Sequence, residues 1–198
     1  MIIDENLLLE NGAVYKDYAD KEIIFHFGSI PQYYFQIVTG TVEVNTYHED
    51  GKEFTFNILS AGQSVGTSLL LGKRQYPMNA VAKGDSRLLI LPKDKFLKLI
   101  CENHQIMLNI LRHLSDRLFY KYVMLFNNSN SDPSTKIRSL LDYYKESSVS
   151  KEQYSYMVPL TRQQIANLTG LRVETVIRSI KKMEREHILK LIGRKILY

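Results

Sequence analysis

The sequence predicts an α+β chain in three parts: an antiparallel β domain, a long helix, and a winged helix-turn-helix towards the C-terminus. Three observations predict it. Short β-branched and aromatic runs, each bounded by turn residues, recur between positions 22 and 91. Apolar residues then recur with heptad-like spacing from 107 to 125. Finally LTRQQIANLTGLRVETVIRSIKKMEREHILKLI, residues 160–192, reads as two short helices around a glycine turn.

The β domain is expected over residues 1–100. Residues 5–18 read as a short helical or irregular lead-in. IIF at 23–25, YYFQIV at 33–38, TVEVNTY at 41–47 and KEFTFNIL at 52–59 read as strands. Alternation is clear in Val42/Val44 and in Phe54/Phe56/Ile58. Gly28-Ser29, Thr39-Gly40, Asp50-Gly51 and Ala61-Gly62 supply turns, and Asp50-Gly51 between two strands signals a hairpin. Strands are also expected at 78–82 and 87–91, which makes the domain an antiparallel barrel or sandwich.

Pro92, with Asp94 and Lys95, opens a short helix through Phe96, Leu97 and Ile100. Residues 101–131 form the connecting helix and hinge. Met107, Leu111, Leu114, Leu118 and Leu125 give the 103–127 helix a seam for its own copy in a second chain. Ile110, Phe119, Tyr122 and Val123 widen the stripe, so that one flank can pack on the β domain. The alternative is a helix buried wholly within one chain. The polar tract NNSNSDP at 127–133 marks a boundary, and Asp132 and Pro133 are the N-cap and first residue of a new helix in a 132–198 domain. Ile137, Leu140, Leu141 and Tyr144 form its inner face, with a loop at 147–153 and a short strand at 154–158.

Within the helix-turn-helix, Thr161 and Gln164 have capping-box spacing, Ile165, Ala166 and Leu168 share one face, and Thr169-Gly170 ends the helix. Val173, Val176, Ile177, Ile180 and Met183, with Glu184, mark a second helix. ILKLI at 188–192, Gly193-Arg194 and KILY at 195–198 form a hairpin behind it, which makes the motif winged. Arg172, Glu174, Thr175, Arg178, Lys181 and Lys182 lie off the apolar stripe. Glu accepts from a cytosine amino group, Arg donates twice to a guanine edge, and further cations neutralise phosphates. Thr161, Arg162 and Gln163 at the start of the first helix, and Val173, complete the candidate DNA contacts. The alternative is an ordinary solvated helix carrying an i,i+4 Glu174–Arg178 salt bridge.

The formal net charge is +5 and is unevenly spread. From residue 134 onward 13 Lys and Arg face 6 Asp and Glu, against 13 and 15 before it, so the basic excess sits with the winged helix. Basic domains of this kind also bind RNA or acidic partners. One cysteine, Cys101, excludes an intrachain disulfide and a cluster held by protein cysteines alone, and it fits a reducing cytoplasm. Its place in an apolar run reads as a buried structural thiol. MIIDENLLLENG at the start reads as neither a signal peptide nor a membrane span. No nucleophile–base pair, P-loop, metal-ligand spacing or paired-acid motif suggests an enzyme.

The order of parts resembles the Crp/Fnr superfamily of bacterial transcription regulators. The resemblance covers nearly the whole chain and rests on Gly28, Gly40, Gly51, Gly62 and Gly66 in the first half and on LTRQQIANLTGLRVETVIRSIKKME in the second. It implies a cyclic-nucleotide-binding-like β-roll, a homodimer on an inverted-repeat operator in duplex DNA, and contact with RNA polymerase but not with a membrane. The family's base-reading positions fall on Glu174 and Arg178, and Val173 matches the Fnr-like branch, which implies a TTGA-like half-site. An effector pocket would involve Gly66, Thr67, Ser68, Arg74 and Tyr76. Members that bind cyclic AMP carry Gly-Glu and Arg-Ser where this chain has Gly66-Thr67 and Tyr76-Pro77. The resemblance therefore implies neither cyclic AMP nor an iron-sulfur cluster, and no resident cofactor. His26, His48, His104, His113 and His187 stand in no haem-ligand motif and read as surface or packing residues. The rival reading is a nucleotide- or small-ligand-sensing module whose winged helix meets protein instead of DNA.

Overall fold

The computed structural model describes residues 2–146, 150 and 152–198. The chain forms two compact units, 1–118 and 119–198. The expected α+β class holds in both.

The first unit holds two four-stranded antiparallel sheets. One has the order β1 (Val14–Tyr18), β8 (Ser86–Pro92), β3 (Tyr33–Thr39), β6 (Ser64–Val65). The other has β2 (Ile23–Phe25), β7 (Asn79–Ala82), β4 (Thr41–Tyr47), β5 (Glu53–Ser60). The β4–β5 hairpin forms as its Asp-Gly pair predicts, and Asp50 Oδ1 accepts from the Lys52 N–H at 3.0 Å in the turn. The lead-in differs from expectation. Only α1 (Glu5–Glu10) is helical, capped by the Asp4 carboxylate, and 14–18 is a strand paired with β8. That strand buries only Tyr18, so its sequence carries no apolar alternation to betray it.

Alternation along β3 and β8 divides the side chains between two cores. Phe35, Ile37 and Leu88 face Val42, Val44, Ala80 and Ala82 of the second sheet. Tyr34, Leu89 and Leu91 face the opposite way, towards Leu8, Phe96, Ile106 and Ile110 from α1, α3 (Lys93–Glu102) and the start of α4 (His104–Ser129). Tyr34 stacks on Phe96 at 4.5 Å, and its hydroxyl donates to Gln36 Oε1 at 2.8 Å. Gln36 is fully buried, and it exchanges hydrogen bonds with the Ile3 backbone at 3.1 and 2.8 Å. A buried amide satisfied in this way ties the start of the chain to the sheet.

α4 begins where Asn103 Oδ1 accepts from the Ile106 N–H at 3.1 Å. Ile106 and Ile110 are buried, and Leu114 is half-buried against the same core. Leu114 therefore does not share the exposed side with Met107, Leu111, Leu118 and Leu125. The exposed positions Leu108, Leu111, Ser115, Leu118, Tyr122 and Leu125 follow a 3-4-3-4-3 spacing, a heptad seam one position away from the expected residue at 114. Cys101 is exposed, not buried as its apolar neighbours suggest, because Leu99 and Ile100 take the inward positions of α3. No helix among the described residues is long and apolar enough to cross a membrane.

In the second unit α5 (Pro133–Glu146) packs on α6 (Arg162–Thr169) and α7 (Val173–Arg185). Asp132 Oδ2 caps α5 by accepting from the Thr135 N–H at 2.8 Å. The buried Ile137, Leu140 and Leu141 lie on its inner face, as expected. β9 (Lys190–Ile192) and β10 (Lys195–Leu197) form the wing. The expected 154–158 strand is reduced to one bridge, Met157 with Leu197. The expected 147–153 loop falls in part on residues 147–149 and 151, which lie outside the described residues.

His113 on α4 has a buried Nε2 without a hydrogen-bond partner among the described residues. Burial pushes its pKa down to about 4, Arg117 pushes it the same way, and Asp116 opposes them. The folded chain therefore keeps the imidazole neutral where the unfolded chain protonates it. This contribution is full above the unfolded value of about 6.5 and is lost as pH falls towards 4. Urea unfolding should show the wild type losing stability between pH 7 and pH 5. His113→Gln should remove about 1 kcal/mol of that loss, allowing for partial solvent screening.

Candidate nucleic-acid interface

The interface begins at the cap of α6. Thr161 Oγ1 accepts from the Gln164 N–H at 3.1 Å, and Gln164 Oε1 accepts from the Thr161 N–H at 2.9 Å, which completes the capping box. Ile165, Ala166 and Leu168 are buried. Gln163 Nε2 donates to the buried Asn167 Oδ1 at 2.9 Å, and Thr169 Oγ1 donates back to the Ile165 carbonyl at 2.6 Å. Gly170 then takes φ 68°, a left-handed geometry that few other residues adopt, and turns the chain into α7. Arg172 is the N-cap of α7 and makes no side-chain capping bond there.

α7 buries Val176, Ser179, Ile180 and Met183. With 3.6 residues per turn, this sends Glu174, Arg178, Lys181, Lys182 and Arg185 into solvent. Neither Glu174 nor Arg178 has a side-chain ion pair or hydrogen bond with another described residue. The i,i+4 salt bridge of a plain solvated helix is therefore not formed. Lys182 meets Glu186 at 3.9 Å on the exposed surface, a contact worth little. Thr175 and Val173 are half-buried flanking residues. Ile177, expected on the inner face, is 41 % exposed. Ser179 takes the inward place instead, since it lies nearer the centre of the buried arc.

The wing adds cations that the helical pattern does not single out. Lys190, Arg194 and Lys195 are exposed, and the Arg162 guanidinium donates to the Arg194 carbonyl. One groove is lined by Leu160, Thr161, Arg162, Arg194 and Lys195, so the start of α6 and the wing turn form a single basic edge. The Gly193-Arg194 turn between two strands was the available signal for these residues.

In the β-roll, Gly66 stands at φ 71° before the short helix α2 (Thr67–Leu70). Thr67 is buried and its hydroxyl donates to Ser64 Oγ at 2.6 Å, whereas Ser68 and Arg74 are exposed. Tyr76 is 2 % exposed and stacks on Phe25 at 3.7 Å and 11°. A Cβ at Gly66 would stand 2.9 Å from Tyr76 Cε1 and 3.2 Å from Phe25 Cε1, so the glycine makes room for the ring pair. Burial raises the Tyr76 hydroxyl well above its ordinary pKa. Arg117, which sequence patterns did not mark, donates from α4 to the carbonyl of Ser64, two residues before Gly66, at 2.6 Å.

These parts define the class: a winged helix-turn-helix protein joined to an antiparallel β-roll. The cyclic nucleotide-binding domain family matches residues 15–103, and the Crp-like helix-turn-helix domain family matches residues 137–198. The chain is 27 % identical over 182 residues to the cAMP-activated global transcriptional regulator CRP of Pasteurella multocida, covering 91 % of this chain and 87 % of that protein. A CooA mutant from Carboxydothermus hydrogenoformans has a similar structure, with TM-score 0.83, 22 % identity, and coverage of 98 % and 87 %. So does the c-di-GMP responsive global regulator CLP of Xanthomonas campestris, with TM-score 0.77, 20 % identity, and coverage of 98 % of both chains. The chain belongs to the Crp/Fnr family of DNA-binding transcription regulators, which are not enzymes.

Gly66→Ala should destabilise the protein by about 1–3 kcal/mol, since it meets both a left-handed backbone and the Tyr76 ring. The shift in the urea unfolding midpoint measures it.

Proposed function

We propose that this protein reads an inverted-repeat DNA operator as a homodimer, with Glu174 and Arg178 contacting base edges in the major groove. The observation that carries this is the pair itself: an acid and a guanidinium, four residues apart, exposed and unengaged by any described side chain. Arg172, Lys181, Lys182 and Arg185, with Arg162, Arg194 and Lys195 at the basic edge, supply phosphate contacts. Thr161 and Gln163 meet the backbone at the start of α6, where free N–H groups point outward. Thr175 and the half-buried Val173 flank the base-reading pair. The half-site is TTGA-like on the resemblance of Val173, Glu174 and Arg178.

The second copy docks along α4. Leu108, Leu111, Leu118, Tyr122 and Leu125 are all exposed at heptad spacing, an apolar seam that costs free energy to leave in water. Two seams in parallel would set the reading helices about one DNA turn apart, roughly 34 Å. The regulator acts in the cytoplasm, with RNA polymerase as a further partner.

Its effector, if it takes one, is not cyclic AMP in this reading. A cyclic phosphate needs a cation or several aimed donors. The candidate segment instead offers a stacked Tyr76–Phe25 pair, an outward Arg74, and an Arg117 already bonded to Ser64. The single cysteine likewise cannot supply the ligands of an iron-sulfur cluster.

Operator titrations at several salt concentrations test the base reading. Glu174→Ala and Arg178→Ala should each cost about 1–3 kcal/mol and relax base choice at one position. Lys181→Ala should weaken binding to all sequences alike and lower the salt slope by about 1. Equal, sequence-independent losses for all three would refute the reading. Sedimentation of Leu111→Asp/Leu118→Asp should give single chains where the wild type gives dimers.

A further inference from the structure

We infer that Ile177 selects a thymine by packing against its 5-methyl group, next to the base pair that Glu174 and Arg178 read. The inference rests on the proposed operator reading and adds a third recognition residue to it.

Ile177 is 41 % exposed on α7. One exposed apolar residue is ordinary on any protein surface, so its position must decide. At 3.6 residues per turn, Ile177, Lys181, Glu174 and Arg178 fall within an arc of about 100° on the side away from the core. The inward side of the helix is already complete, with Val176, Ser179, Ile180 and Met183 buried. Ile177 lies outside that buried set, with about two fifths of its surface open to solvent. As a β-branched residue it is also a weaker helix former than lysine or glutamate.

An isoleucine can neither donate nor accept a hydrogen bond. In a major groove lined by donors and acceptors, the apolar feature open to it is the thymine methyl. Ile177 stands three residues after Glu174 and immediately before Arg178, so its side chain reaches a base step adjoining theirs. A polar edge at that step would instead be desolvated against its methyl groups without a partner. The contact thus selects for thymine and against the other bases.

The test uses the full-length protein and duplexes that it selects from a random-sequence pool. Each thymine of the selected half-site is replaced in turn by deoxyuridine, which lacks only the methyl. One replacement should weaken wild-type binding roughly fourfold, the worth of one buried methyl-sized group. Ile177→Ala should lose a similar factor on the thymine operator and show no further loss on the deoxyuridine one, and Ile177→Val should fall between. The inference is overturned if every deoxyuridine effect is the same in the wild type and Ile177→Ala. A pool that returns no preferred sequence overturns the operator reading itself, and Ile177's role with it.

Discussion

Burial of Val176, Ile180 and Met183 fixes the rotation of α7, and what the helix presents to solvent follows from it. A helix has a single rotational setting, so committing three apolar side chains to the α5–α6 side commits the others to the opposite side. Glu174 and Arg178 are held outward without an ion pair or side-chain hydrogen bond to each other or to another described residue. The setting is enforced upstream by the capping box at Thr161 and the left-handed turn at Gly170.

In the β-roll the corresponding constraint is space around Gly66. The Phe25–Tyr76 stack fills the interior beside α2, and only a residue without Cβ lets the chain pass that close. Arg117 joins this region to α4 through the Ser64 carbonyl. The strand just before α2 is thus hydrogen-bonded to the long helix.

α4 carries two apolar stripes, one packed in the β-roll core and one exposed. Ile106, Ile110 and Leu114 turn towards the β-roll, while Leu108, Leu111 and Leu118 turn away from it. Both stripes are apolar, so hydrophobicity alone does not sort them. Which residue belongs to which stripe depends on where α1, α3 and the first sheet meet the helix.

Much of the architecture follows from local rules that act within a few residues. The Asp132 and Thr161 caps, the Gly170 turn, the Asp50-Gly51 hairpin and the Gly193-Arg194 wing turn are all set by neighbours in sequence. The tertiary structure decided the rest. Residues 14–18 become a strand because β8 offers a partner edge, not because VYKDY alternates. Leu114 turns inward, Ile177 outward and Cys101 outward because neighbouring elements, not composition, determine which side of a helix is covered. Tyr76 is interior because Phe25, 51 positions earlier in the chain, supplies the face it stacks on. Periodicity finds a helix and its apolar residues, but only long-range packing says which of them water still reaches.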